Sequence, residues 1–234
     1  MLDSRAALTS VTVTSTTMLR PPSVEQSLAI GQGGAARQSG SLLTVAVLSA
    51  GVHEPSTTAA LASDLVAAVA AAAEPLGLRI DTRIVEVRDF AGDLAAASIG
   101  HAPSETLREM IAAVTTADAL IAVTPVFAAS YAGLFKSFFD VLDPDCLTGM
   151  PTVIGATGGS VRHSLVIDHA LRPLLAYFRA AVVPTGVFAT PEDVPGTAQS
   201  ARLVERIERA GRELAAVLAA RPAMVSPAID RNPA

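Results

Sequence analysis

Between residues 42 and 219 the chain reads as short apolar runs separated by stretches in which apolar residues recur every three or four positions. Residues 42–48, nearly all apolar with Val45 and Val47 among them, predict a strand covered on both faces. Ser49-Ala50-Gly51 ends it, and Leu61, Leu65 and Val69 then predict a helix from about Ser56 to Pro75. Residues 78–87 alternate imperfectly and carry Arg83 and Glu86, as expected of an edge strand. Leu107, Ile111 and Val114 predict a helix over residues 105–117, and a third buried strand follows over 119–123, where Pro125 stops it. The remaining pattern predicts a helix over 131–142, a strand over 152–156, a helix over 164–178, a strand over 181–187 and a polar-faced closing helix over 202–219.

Strands alternating with helices describe an α/β fold, and five parallel strands in this length suit the flavodoxin-like order 2-1-3-4-5 with helices on both faces. Ligands of such sheets lie outside the carboxyl ends of the strands, so the loops after strands 1, 3 and 4 are the candidate site.

Residues 1–40 are rich in Ser and Thr and show no apolar period, and the chain turns Pro-rich from Arg221. The expected organisation is a disordered extension over 1–40, one domain over 41–220 and a disordered tail over 221–234. Ala6-Ala7-Leu8 is too short for a secretory signal, although the Arg, Ser and Thr content leaves an organelle transit peptide open. Gly31, Gly33 and Ala36 match the spacing of a dinucleotide fingerprint, but no strand precedes them and no apolar-periodic helix opens on them.

Composition removes several function classes. Seventeen Lys+Arg against 22 Asp+Glu leave a formal charge of −5, which gives no overall attraction to nucleic acid or anionic lipid. The mean hydropathy is +0.45, yet the longest charge-free stretch, residues 119–135, is interrupted by Thr124, Pro125, Ser130 and Gly133 and is short of the roughly 20 residues of a spanning helix. The lone Cys146 has no partner for a disulfide or a zinc site, which fits a reducing, cytoplasmic setting.

The first loop runs from Ser49 to Ser56-Thr57-Thr58, placing small residues and three consecutive hydroxyls where a helix N-terminus exposes unpaired amides. That suits an anion, while the plain reading is an N-cap. No P-loop lysine is present, so a monophosphate held by hydroxyls and amides fits better than a nucleoside triphosphate. In the second loop, Pro125, Val126, Phe127 and Ala128 offer a flat apolar surface to a planar ring, the plain reading for Phe127 and Tyr131 being ordinary packing. In the third, Thr157, Gly158, Gly159 and Ser160 let backbone approach a ligand closely, or simply turn. His163 and His169 are six apart, which does not direct both to one metal on a helix, and His53 is the histidine nearest the first loop. Lys136, the single lysine, precedes Asp140 by one helical turn and is expected to pair with it.

Taken together, Val123-Thr-Pro-Val-Phe, the run from Ser130 to Asp140 and the run from Ala156 to Pro173 resemble the NAD(P)H-dependent FMN reductases of two-component monooxygenase systems, especially those serving luciferase-like monooxygenases such as the alkanesulfonate enzymes. The resemblance covers about residues 42–190. It implies a flavodoxin-like homodimer or homotetramer with FMN and NADPH or NADH as cofactors and a flavin monooxygenase as partner. Ser49, Ser56, Thr57 and Thr58 would hold the FMN phosphate. Pro125, Val126, Phe127 and Ala128 would meet one edge of the ring, and Thr157, Gly158, Gly159 and Ser160 its other side. Ala128 departs from relatives that carry a longer polar residue there. In the alkanesulfonate reductases, the residue matching Tyr131 lies in a π-type irregularity at a subunit interface. Hydride transfer from nicotinamide C4 to flavin N5 needs stacked rings and stabilised charge near N1 and O2, a task for the Gly158 and Gly159 amides, and no catalytic acid or base. Surplus aromatic bulk in the Tyr131 helix is expected at an interface. A quinone or azo-compound reductase that retains FMN, and a non-enzymatic flavodoxin-like electron carrier, are the competing readings.

Overall fold

The computed structural model describes residues 41–193 and 198–221. The expected extension over 1–40 and, apart from Arg221, the expected tail fall outside them. Seven strands and six α-helices follow in order: β1 (Ser41–Ser49), α1 (Thr57–Ala73), β2 (Leu78–Glu86), α2 (Ala91–Ser98), α3 (Glu105–Thr115), β3 (Ala119–Phe127), β4 (Ser130–Tyr131), α4 (Gly133–Asp140), β5 (Pro151–Thr157), α5 (Arg172–Tyr177), β6 (Ala181–Val182), β7 (Val187–Ala189) and α6 (Ala198–Ala220). The parallel order is β2-β1-β3-β5-β6, with β7 also parallel to β5 and β4 antiparallel to β3. This is a flavodoxin-like α/β sheet, but with seven strands rather than the expected five.

The two extra strands have local causes. The expected fifth strand is broken around Pro184, which has no N–H to give to a ladder. Side chains take up the backbone groups of the break. Arg172 donates to the carbonyls of Val183 (3.1 Å) and Pro184 (3.0 Å), and Arg206 to that of Gly186 (2.6 Å). The Glu213 carboxylate accepts from the amide (2.8 Å) and hydroxyl (2.7 Å) of Thr185. The other addition is β4. Pro125 does not end the third strand, which pairs onward with β5 as far as Pro125 opposite Thr157. β1 has by then ended opposite Val123, so the proline, lacking a donor, stands where that side of β3 has no neighbour. The chain turns back at Ala128 and Ala129 and forms β4.

Helix boundaries also differ from the pattern reading. Tyr131 lies in β4, not in α4, and the helix expected over 164–178 is a 3₁₀ turn (Val161–His163), a π segment (Ile167–Leu171) and then α5. The widened turn precedes Pro173, whose ring and missing N–H do not fit a regular helix interior. The π irregularity implied near Tyr131 is therefore absent from α4 and lies instead in the segment leading to α5. The short α2 has a single buried side chain, Leu94, and so no apolar period to announce it.

The sheet is covered on both faces. Leu43, Val45 and Val47 of β1 join α1 and α6, whereas Ala46 and Leu48 join the core shared with α2, α3, α4 and α5. The Ala-rich stretch Thr57–Leu76 is long and apolar enough on composition to cross a bilayer, yet here Leu61, Leu65 and Val69 pack it onto the sheet. β2 is the edge strand expected, with only Leu78 and Val85 buried. On the opposite face Phe135, Phe138 and Phe139 of α4 are fully enclosed, with Phe139 4.9 Å from Phe135 and 5.4 Å from Phe178 between ring centroids. The aromatic surplus read from the sequence is thus absorbed within one subunit.

α1 and α6 pack closely at Gly211, where an added Cβ would lie 2.7 Å from the carbonyl carbon of Ala68. Gly211→Ala is expected to destabilise the fold by about 1–3 kcal/mol through overpacking, even though Ala gains roughly 1 kcal/mol of helix propensity over Gly. Gly92→Ala, in α2 with nothing within 4 Å of the new Cβ, is expected to be neutral or stabilising. Urea denaturation of both variants checks the pair of signs.

Candidate functional site

Four loops at the carboxyl ends of β1, β3, β5 and β7 enclose a cavity of about 320 Å³, a size within the range of small-molecule sites. It sits where the chain leaves β1 for β2 on one side and later returns to β3 on the other.

The first wall is the turn from Gly51 into α1. Ser56 is the N-cap, its Oγ accepting from the Ala59 amide at 3.1 Å. Thr58 is buried, and its hydroxyl bonds that of Thr157 at 2.8 Å, bracing the start of α1 against the end of β5. Thr57 is exposed, lines the cavity and has no hydrogen-bond partner for its hydroxyl among the described residues. With the amides of Thr57 and Thr58, which precede the first intrahelical bond, it forms a set of uncommitted donors. Ser49 is different. It shares the face of β1 that carries Val45 and Val47, its side chain is fully enclosed, and its Oγ has no protein partner among the described residues. It does not line the cavity.

The second wall is the β3–β4 hairpin. The buried Thr124 hydroxyl donates to the Pro125 carbonyl and accepts from the Ala132 amide, both at 3.0 Å, so one side chain ties the hairpin's two ends together. Pro125, Val126 and Phe127 face the cavity, Phe127 with 45% of its surface exposed. Ala128 (φ 47°) and Ala129 (φ 66°) make the turn in the left-handed region, at a cost of about 1–2 kcal/mol each. Ala128 projects at the tip, outside the cavity lining, contrary to its expected place at the ring edge.

Thr157, Gly158 and Gly159 form the third wall, and Ala189, Thr190 and Pro191 the fourth. The Gly158 amide donates to the Ala189 carbonyl at 3.0 Å, so it is committed to joining the two walls. A Cβ at Gly158 would lie 2.7 Å from the Phe188 ring, whereas one at Gly159 would meet nothing within 4 Å. Gly159 thus borders open space. Ser160 caps the following 3₁₀ turn by accepting from the Arg162 amide and does not line the cavity.

Nine of the twelve residues read from the sequence therefore share one cavity: Ser56, Thr57, Thr58, Pro125, Val126, Phe127, Thr157, Gly158 and Gly159. The β7 loop was missed. Its signal is Thr190-Pro191 closing the last strand as Thr124-Pro125 follows the buried run of β3. His53 lines the cavity, whereas His163 and His169 do not. Asp168 bonds Arg172 at 3.0 Å, and Lys136 pairs with Asp140 as expected. Among the described residues the cavity lining contains no Lys or Arg. Cys146 lies elsewhere, and burial together with the neighbouring Asp143 pushes its thiol pKa up, which disfavours the reactive thiolate.

These features fit FMN. The phosphate requires uncommitted donors, and the first wall has them. The ring requires a flat apolar edge facing backbone without side chains, and the second and third walls have those. The family model described as NADPH-dependent FMN reductase matches residues 43–195. The chain is 39% identical over 150 residues to the FMN reductase (NADPH) of Pseudomonas aeruginosa, covering 64% of this chain and 77% of that one. It is 35% identical over 183 residues to the NADH-dependent FMN reductase SfnE of Pseudomonas putida, covering 78% and 96%. An oxidoreductase from Corynebacterium diphtheriae solved by X-ray diffraction shares 48% identity with a TM-score of 0.73, covering 76% and 97%. The chain therefore belongs to the NADPH-dependent FMN reductase family, and it is an NAD(P)H:FMN oxidoreductase.

Proposed function

We propose that the chain takes up FMN as a diffusible substrate, reduces it with NADPH or NADH, and passes the reduced flavin to a partner monooxygenase of the luciferase-like type. The observation that carries the site is the meeting of uncommitted donors at the start of α1 with open space over Gly159 in one cavity. The flavin phosphate goes to Thr57 and the first amides of α1. An all-neutral seat there binds through dipoles, and Ser56 and Thr58 act by holding the helix start in place. Pro125, Val126 and Phe127 bear on one edge of the ring, and Thr157 and Gly159 on the other. Ser49, Ala128 and Ser160 contribute no side-chain contact.

Bound FMN supplies the ring whose N5 accepts hydride from the nicotinamide. The chain supplies position. The Gly159 amide is the donor for charge near N1 and O2, because that of Gly158 already serves Ala189. No side chain in the lining is needed as acid or base.

The same reading includes a homodimer or homotetramer. With the phenylalanines of α4 enclosed, the Tyr131 end of that helix offers only the half-buried Tyr131 and Leu134. β4 touches the π segment, and the exposed Val161 and Leu165 lead into that segment, so these residues extend the surface a second copy would cover.

Purified protein is expected to be largely colourless and to oxidise NAD(P)H when free FMN is the sole acceptor. Stoichiometric tightly held flavin, or turnover only with a quinone, overturns the diffusible-flavin reading. Thr57→Ala is expected to weaken FMN by about tenfold or more, the loss of one charge-assisted hydrogen bond at roughly 1.5–3 kcal/mol, and riboflavin much less. Gly159→Val is expected to weaken both flavins by filling the open space. Mass measurement in solution checks the assembly: an oligomer that Leu165→Ser dissociates supports the proposed surface, and a strict monomer at micromolar concentration refutes it.

A further inference from the structure

The stretch from Gly51 to Pro55 carries the first wall of the cavity, yet among the described residues it makes no backbone–backbone hydrogen bond. The last such bond before it is Ala50 to Val123, and the next after it begins α1. Val52, His53, Glu54 and Pro55 are all exposed. What fastens this stretch from outside is Arg88, in the 3₁₀ turn Val87–Phe90 that follows the edge strand β2. Its Nη2 donates to the Glu54 carboxylate and its Nη1 to the His53 carbonyl at 3.4 Å. The Asp89 carboxylate, 3.8 Å from Nε, is its other charged neighbour. Arg88 is the more enclosed partner, with 27% of its side chain exposed against 76% for Glu54.

We propose that Arg88 is a positioning residue for the flavin phosphate: through Glu54 and the His53 carbonyl it holds the first loop in the shape that presents the donors at the start of α1. This rests on the reading that the phosphate sits there. The guanidinium's planar fork suits a task that needs two acceptors held at once, which an ammonium meets less well. Among the described residues the lining has no Lys or Arg, and Arg88 in this arrangement acts on the loop and not on the ligand. An exposed pair contributes little to global stability, so its effect is read in binding.

Dissociation constants for FMN and for riboflavin, measured by quenching of flavin fluorescence, test this in the wild type, Arg88→Ala, Arg88→Lys, Glu54→Ala and the Arg88→Ala/Glu54→Ala double variant. The expected result is about a fivefold loss for FMN in either Ala variant, the size an exposed pair can supply. Riboflavin should stay within twofold, the double variant should be no weaker than either single one, and Arg88→Lys should recover part of the loss. Several outcomes overturn the proposal. Unchanged FMN affinity in both Ala variants removes it. A loss in Arg88→Ala with none in Glu54→Ala removes Glu54 from the arrangement and overturns the proposal that the pair acts together. Equal losses for both flavins, or additive losses in the double variant, make the effect general to the fold. If Thr57→Ala separates FMN from riboflavin while Arg88→Ala does not, the phosphate seat stands and only the role of Arg88 falls.

Discussion

The hydrogen bond between the hydroxyls of Thr58 and Thr157 is the contact on which the site's geometry depends. It is buried, spans 99 positions in sequence, and joins the first turn of α1 to the last residue of β5. Leu61, Leu65 and Val69 hold the body of α1 on the sheet, and this bond sets the spacing at the cavity itself, between the donors at the helix start and the glycines after β5. Its energetic weight comes less from the bond than from its alternative, since a lone buried hydroxyl left by removing one partner costs about 1–3 kcal/mol. Thr124 performs the matching task on the second wall, where it closes the hairpin that presents Phe127.

Around that brace the sheet leaves room for a ligand because β3 outruns β1. β1 ends opposite Val123, and β3 continues through Pro125 to Phe127, so the crevice opens beside the part of the longer strand that β1 no longer pairs. The surface that results offers hydroxyls, amides, the His53 ring and an apolar aromatic edge, with no Lys or Arg among the described residues. In a chain of net charge −5 with no Lys or Arg among the described lining residues, the proposed phosphate seat would discriminate by directed donors more than by attraction at a distance.

Much of this was legible from residues. The uninterrupted apolar run of β1, the period of α1 and the charged alternation of β2 each identify their element and its layer, because burial on two faces, one face or an edge leaves different patterns. The failures have equally local causes. The β3–β4 hairpin is silent in sequence because Ala128-Ala129 is not a dipeptide that favours two left-handed residues, a conformation usually marked by Gly or Asn. The fifth strand reads as continuous because the groups that hold its break, Arg172, Arg206 and Glu213, lie on other elements. The family resemblance puts Ser49 at the phosphate, although alternation with Val45 and Val47 already assigns it to the enclosed face. The phenylalanines of α4 looked excessive for one sheet because Phe178, almost forty positions later, was not counted against them.

In the proposed arrangement one cavity orients FMN with its phosphate at the start of α1 and its ring over Gly159. A crystal structure of the protein with FMN bound tests this most directly. Phosphate oxygens are expected within hydrogen-bonding distance of the Thr57 hydroxyl and the first amides of α1, and the ring between Phe127 and Gly159. A flavin bound with its phosphate at the β7 loop, or outside this cavity altogether, would contradict it.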